Sequence, residues 1–410
     1  MSFIPKCRMM GQYLQGKDSG MEIGKRNYRI AVVVMMMEHE FAATRVMMAS
    51  LLLSARPDED VWISLLLNGA CNKDIESYFT HIDNLTYYCS SENLGVAGGR
   101  NYLLTRREVI EADIIMILDN DLLLPEDYVG RMARFLIDHP DAGLIGPVMA
   151  WARNYRDLIP VQDRVPRRNH GSSPSASYTS DELRRRWIET GGEDDLYYLG
   201  THSWFLSNCL ASPISIQNLF LWLKKKKIIK TAPSLLLNTD ANVVSSIKGG
   251  AEEIETKTVT GGGQVFRSSL LFSVGLLEPA FSPYGHEDHE FSIRVVKAGY
   301  KNYINCSMFI LHGIDERQTA RHHEWRKYHY SRIRTITTRR HVRPALIRYL
   351  VIGEILLHTL VTSFFVNLVR GELTFPSVRQ GVRGWMTGLT VKLMDIDASV
   401  ETVRRARDTG

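Results

Sequence analysis

The sequence predicts an α/β fold built on a doubly wound, mostly parallel central sheet. Three observations carry this. Continuous apolar runs recur that suit strands buried on both faces. Helix-type patterns separate them. Polar residues gather where the runs end, which in such sheets is the ligand-binding edge.

The elements follow in order. "YRIAVVVMMM" (Tyr28 to Met37) reads as a first buried strand, and a helical pattern from Phe41 to Ala55 stops before Pro57. "VWISLLLNGA" is a second strand ending at Asn68-Gly69, Asp74 to Phe79 a short helix, and "LTYYC" a third strand. "ENLGVAGGRN" leads into a helix expected from about Arg100 to Val109, with Gly95, Gly98 and Gly99 as a tight turn able to approach phosphate. "DIIMIL" is a fourth strand, Pro125 is expected to open a helix to about Asp138, and "AGLIGPVM" is a fifth strand. Order weakens over an insertion at about 153–255, which contains the loop-like "RRNHGSSPSASYTSDE" and "NLFLWLKKKKIIK". It returns at "TVTGGGQVFRSSLLFSVGLL". The expected organisation is a leader over 1–27 without a signal-peptide pattern, a main domain over 28–320, and a basic, then apolar helical extension over 321–410.

Composition narrows the class. A net charge of +5 over 410 residues is mild and does not by itself argue for a nucleic-acid partner, while the basic residues concentrated in Arg321 to Arg343 read as a surface for phosphate-rich partners or anionic lipid. Five dispersed cysteines with no CxxC pair suggest free thiols in a reducing, cytoplasmic setting. The apolar segment Tyr349 to Val369 is long enough to span a bilayer. Glu354, His358, Thr362 and Asn367 nevertheless mark one polar stripe on it. A packed helix, a homo-oligomer seam or an in-plane contact with the inner membrane face each suits that stripe better than a span.

Four clusters carry chemistry. Asp119 and Asp121 end the fourth strand around Asn120, where two carboxylates on one side would repel without a divalent cation. The same residues also suit a plain surface turn. Glu287 and Asp288 open an amphipathic pattern, where the helix's positive end favours their ionised forms. One could act as a general base, and first-turn acid enrichment is the alternative. His312 ends the strand-like "MFILHG", which suits a ligand or a structural histidine. The loop Asn93 to Asn101 is glycine-rich but lacks GxGxxG spacing.

Taken in order, these motifs resemble the inverting, metal-dependent glycosyltransferases of family 2 with the GT-A fold. The elements are Asn68-Gly69, Asn93 through Asn101, Asp119-Asn120-Asp121, Gly261 to Gln264, "FSVGLLEPAFSPYGHED", Arg294 with Gly299, and His312. The resemblance covers roughly Tyr28 to His312. It implies that Asp121, Asp119 and His312 hold manganese or magnesium. It places Asn68, Asn93, Gly98, Arg100, Asn101, Asp119, Asn120, Asp121, Gly263 and Gln264 around a nucleoside-diphosphate sugar. Asp288 would be the base toward the acceptor hydroxyl, and Glu287 would hold the acceptor. Leu67 stands where the family often has an Asp that contacts the base, before the Asn-Gly turn, so the base stays open and UDP is the default nucleotide. The extension resembles that of cell-envelope members, which implies a glycan or lipid-linked acceptor in polysaccharide or glycoconjugate synthesis. The rival readings are a nucleotidyltransferase, an enzyme that glycosylates or otherwise modifies nucleic acid or protein, and a non-catalytic nucleotide-sugar-binding module.

Overall fold

The computed structural model describes residues 28–55, 59–152, 179–189, 196–198, 247, 249–283, 285–313, 323–343, 345–361 and 375–409. The leader, "NLFLWLKKKKIIK", and most of the insertion lie outside them.

Four strands form a parallel block in the order β3-β2-β1-β4: β1 (Arg29–Met36), β2 (Asp60–Asn68), β3 (Leu85–Ser90) and β4 (Ile114–Leu118). Alternate residues of β1 enter different cores. Ala31 and Val33 pack on one face of the sheet, and Ile30, Val32 and Val34 on the other. Both faces are therefore covered, as continuous apolar strands require. The connecting helices are α1 (Phe41–Ser54), α2 (Lys73–Phe79), α3 (Gly95–Leu104) and α4 (Arg107–Ile110). The chain steps outward from β1 through β2 to β3 and then returns to the other side of β1 as β4. That reversal leaves a crevice beyond the ends of β1 and β4.

After β4 come β5 (Leu122–Leu123), α5 (Tyr128–Asp138), β6 (Ala142–Ala152), α6 (Ser180–Glu189), β7 (Leu196–Tyr198), β8 (Glu253–Thr256) and β9 (Gly263–Arg267). α7 (Leu271–Val274), α8 (Glu287–Lys297) and β10 (Lys301–Gly313) follow. The sheet continues β4-β9-β6-β10-β5, with β7 on β6 and β8 on β10. β1, β2, β3, β4, β6 and β10 share one direction; β5, β7, β8 and β9 oppose them. The mostly parallel sheet is thus observed, with antiparallel β9 placed between β4 and β6. β8 belongs to the sheet, so order resumes before the expected end of the insertion at Glu255. The extension is helical as expected: α9 (His323–His341), α10 (Ala345–Val361), α11 (Phe375–Thr390) and α12 (Ile396–Asp408).

Several expectations are corrected. α3 begins at Gly95, not near Arg100, because side chains fix its start: the Leu94 amide donates to Asn68 Oδ1 (2.8 Å) and the Gly95 amide to Asn93 Oδ1 (2.8 Å). Gly98 and Gly99 are therefore helical. A Cβ on Gly99 would lie 2.2 Å from Met35 Sδ, so that glycine serves close packing on β1. Pro125 makes a turn, accepting from the Tyr128 amide (3.1 Å), and α5 starts three residues later than the proline suggests.

The free-thiol expectation fails for Cys71 and Cys89, which form a disulfide. β2 and β3 are adjacent in parallel register, with Leu67 opposite Cys89. The left-handed Gly69 (φ 90°) turns the chain back, and Ala70 bridges Ser90, which brings Cys71 beside Cys89. The argument for a reducing setting falls with the thiols it rested on. Cys306 is free and buried; Cys7 and Cys209 lie outside the described residues. Among the described residues no helix is long and apolar enough to cross a membrane.

Candidate active site

The Asp119–Asp121 turn leaves β4 and is pinned from two sides. The Asp119 amide donates to Gly262 O (3.4 Å), and the Gly313 amide at the end of β10 donates to Asp121 O (3.0 Å). β5, immediately after the turn, pairs antiparallel with β10, placing Leu122 opposite His312. Two segments nearly two hundred residues apart in sequence thus meet. His312 Nε2 lies 3.5 Å from Asp119 Oδ2 and 3.5 Å from Asp121 Oδ1. Ligand atoms of the three residues fall within 4.8 Å of one another. Asn120 turns away and donates to Glu40 Oε2 (2.8 Å), which the Met37 amide also reaches (2.8 Å). Glu40 follows β1, so both sheet ends that flank the crevice contribute an acid.

Electrostatics match a cation site. Burial pushes the Asp121 carboxyl up to about 6, with Asp119 and Glu40 adding to the rise against the pull of His312. Burial lowers His312, but Asp121 and Asp119 outweigh it and hold the imidazole up at about 9. In that state an imidazolium occupies the place of a cation between the carboxylates. Two carboxylates and an imidazole form a donor set that could hold a divalent metal ion.

The second half of the site is the N-terminus of α8. Arg100, buried in α3, donates to Asp119 Oδ1 (2.5 Å) and to Glu287 Oε1 (2.8 Å), joining the halves. Glu287 Oε2 is buried with no partner. Burial, and then the neighbouring Asp288 charge, push the Glu287 carboxyl up to about 7 against the opposing Arg100. Asp288 behaves oppositely. Burial raises it, but the charge and hydrogen bond of His289, with His286 and Arg100, pull it well below the usual carboxylate range. Its Oδ2 accepts from the Gly261 amide (2.7 Å), and its Oδ1 from the His289 amide (2.8 Å), with His289 Nδ1 also at 2.8 Å. Adjacent carboxyls are thereby driven apart, one toward the neutral form and one held ionised.

The glycine run makes this packing feasible. A Cβ on Gly261 would lie 2.7 Å from Arg100 Nη1, one on Gly262 2.7 Å from Asp119 Oδ2, and one on Gly263 2.8 Å from Pro147 Cδ. The remaining expected residues divide. Asn93 is exposed and Gly98 half-buried near the loop end. Asn68 is buried and holds that loop, donating to Asn93 Oδ1 (3.2 Å). Asn101 clamps the backbone of Leu277, donating to its carbonyl (2.8 Å) and accepting from its amide (2.9 Å). Gln264 is fully buried and donates to Val259 O (2.8 Å), so its side chain lies beneath the cleft surface. Sequence reasoning missed Glu40 and His289. An acid at the end of the first strand was the signal for Glu40. The signal for His289 was its place directly after the acid pair in "GHEDHE".

The model for Glycosyl transferase family 2 matches residues 69–191. No curated protein matches the sequence. Among solved structures, S. aureus TarS 1-349 is similar at 12% identity and TM-score 0.44, covering 93% of this chain and 90% of that one. GalNAc-T7, in a structure with UDP, GalNAc and Mn2+, is similar at 11% identity and TM-score 0.45, covering 83% of this chain and 59% of that one. At this level the structural likenesses bear on neither substrate nor mechanism. The resemblance to family 2-like glycosyltransferases of GT-A fold is thus borne out by the family match that begins at the strand-end Gly69 and runs through the Asp119–Asp121 turn.

Proposed function

We propose that the protein is a metal-dependent, inverting glycosyltransferase that moves a sugar from a nucleoside-diphosphate donor, by default UDP, to a hydroxyl of a glycan or lipid-linked acceptor. The observation that carries this reading is the pairing of the Asp119–Asp121–His312 cluster with Glu287–Asp288 across Arg100. One half has the donor set for a diphosphate-bound cation, and the other a carboxylate held ionised by fixed donors.

Asp119, Asp121 and His312 would hold the metal, which when bound neutralises the charge of the departing diphosphate. Arg100 would stay beside it as a fixed positive charge. Asp288, fixed by the Gly261 and His289 amides, would accept the acceptor proton as the oxygen attacks the anomeric carbon from the side opposite the diphosphate. That in-line geometry inverts the anomeric centre. Glu287, with its unpartnered oxygen, would hydrogen-bond the acceptor.

The test is a panel of nucleotide sugars with manganese, read by release of nucleoside diphosphate. The expected result is release with one donor, lost in Asp288→Asn while nucleotide binding by calorimetry persists. A fully active Asp288→Asn enzyme sinks the mechanism, and pyrophosphate release points to nucleotidyl transfer instead.

A further inference from the structure

α10 turns an apolar face outward. Leu346, Tyr349, Leu350, Leu357 and Leu360 are 71%, 65%, 48%, 56% and 39% exposed. With Gly353 they fall at helical three- and four-residue spacings and form one stripe free of charged residues. The opposite face is already packed: Ile352, Ile355 and Thr359 are buried. Trp385 Nε1 of α11 donates to Ile352 O (2.9 Å), and a Cβ on Gly381 would lie 2.4 Å from Thr359 Cγ2. The helix is therefore held by its inner face, while among the described residues the outer stripe remains uncovered. Glu354 and His358 of the polar stripe read from the sequence are half-buried on its flank, and Thr362 and Asn367 lie outside the described residues.

Charge identifies the occupant. Residues 321–410 contain 16 Lys and Arg against 7 Asp and Glu, a net +9, although the whole chain carries only +5; Arg332, Arg339 and Arg340 among them are committed to protein contacts. Arg343 is exposed just before α10, and the Arg348 guanidinium lies 5.6 Å from the centre of the exposed Tyr349 ring. An aromatic ring and a guanidinium bordering a leucine stripe suit the boundary between acyl chains and headgroups. A second copy of the chain fits less well. The stripe is about 21 Å long and about 10 Å wide, roughly 200 Å², against about 800 Å² per partner in a standard stable interface.

We infer that the α10 stripe docks the protein in plane on an anionic lipid bilayer, with the leucines entering the acyl boundary and the arginines meeting lipid phosphates. This does not rest on the transferase reading, since binding is measured without nucleotide sugar. The full chain is floated with vesicles of phosphatidylcholine alone or with about a third phosphatidylglycerol. The expected result is binding to the anionic vesicles that weakens between about 50 mM and about 500 mM salt. Leu350→Glu with Leu357→Glu should reduce partitioning about tenfold or more, and Leu350→Ala with Leu357→Ala by less. Unchanged circular dichroism and denaturation midpoints establish that each variant folds; a variant that does not fold is replaced by the alanine pair. Failure to bind anionic vesicles, or equal binding by the folded variants, overturns the inference. A concentration-dependent dimer that these substitutions abolish, without vesicle binding, assigns the stripe to a second copy instead.

Discussion

Replacing Arg100 by methionine keeps the length of the side chain and removes the guanidinium that Asp119 and Glu287 share at 2.5 and 2.8 Å. Arg100 and Glu287 are 7% and 4% exposed at the side chain, so their pair is shielded from water, whereas Asp119 at 31% is partly solvated. Breaking a buried pair costs about 3–5 kcal/mol because a charge is left without compensation. The variant can relieve this by taking up a proton, and Glu287 is the natural acceptor because burial already lifts it to about 7. Its raised value means that its contribution to stability is full below about 4.5, the ordinary value, and is lost as pH rises through about 7. Removing Arg100 raises Glu287 further, so above pH 7 the variant loses stability more steeply than the wild type, whose Glu287 completes its titration there. From pH 7 to pH 8 the deficit should widen by about 1 kcal/mol, somewhat less than the full slope of one proton because the wild-type Glu287 is itself still titrating there. Urea midpoints of both proteins across this range measure it. A deficit below about 1 kcal/mol that is constant with pH would show that the carboxylates do not depend on Arg100.

Other perturbations separate site geometry from stability. Gly262→Ala should push the Asp119 carboxylate aside, weakening manganese affinity by about 10–100-fold in calorimetry while changing the melting temperature little. Glu290, fully buried, accepts from Arg294 Nε at 3.0 and 2.9 Å, so Glu290→Ala should cost about 3–5 kcal/mol at pH 7. Burial raises the Glu290 carboxyl, but Arg294 and His341 outweigh it and hold it low. Its contribution is therefore present above the ordinary 4.5 and lost as pH falls, so wild type and Glu290→Ala should converge in denaturation midpoint in acid. Reducing Cys71–Cys89, which closes a sequence separation of 18, should lower stability by about 3 kcal/mol in denaturant titration with and without reductant. No shift on reduction would remove the bond from the account of stability.

The sheet was legible because strands buried on both faces cannot tolerate polar residues. Ile30 to Val34 and Ile114 to Leu118 had to be apolar throughout, and Asn68 and Asp119 marked where water or ligand begins. The four clusters were likewise visible as residue types at strand ends and a helix start. The start of α3 was not, because it depends on Asn68 reaching Leu94 from another strand. Nor was the disulfide, which depends on register between β2 and β3 and a turn at Gly69.

The sequence alone determined the succession of strands and helices and the chemical kinds of group at their ends, since burial periodicity and charge are local properties of the chain. The tertiary structure alone decided which of those groups meet. His312 reaches Asp119 and Asp121 because β5 pairs with β10, and Arg100 can bridge Asp119 to Glu287 with the chain before β9 packed against them because Gly261 and Gly262 carry no side chain there. It also decided that Asn101 clamps Leu277 and that the outer face of α10 carries leucine, not the polar stripe. Such contacts are set by strand pairing and helix docking between distant segments, and no spacing within either segment encodes them.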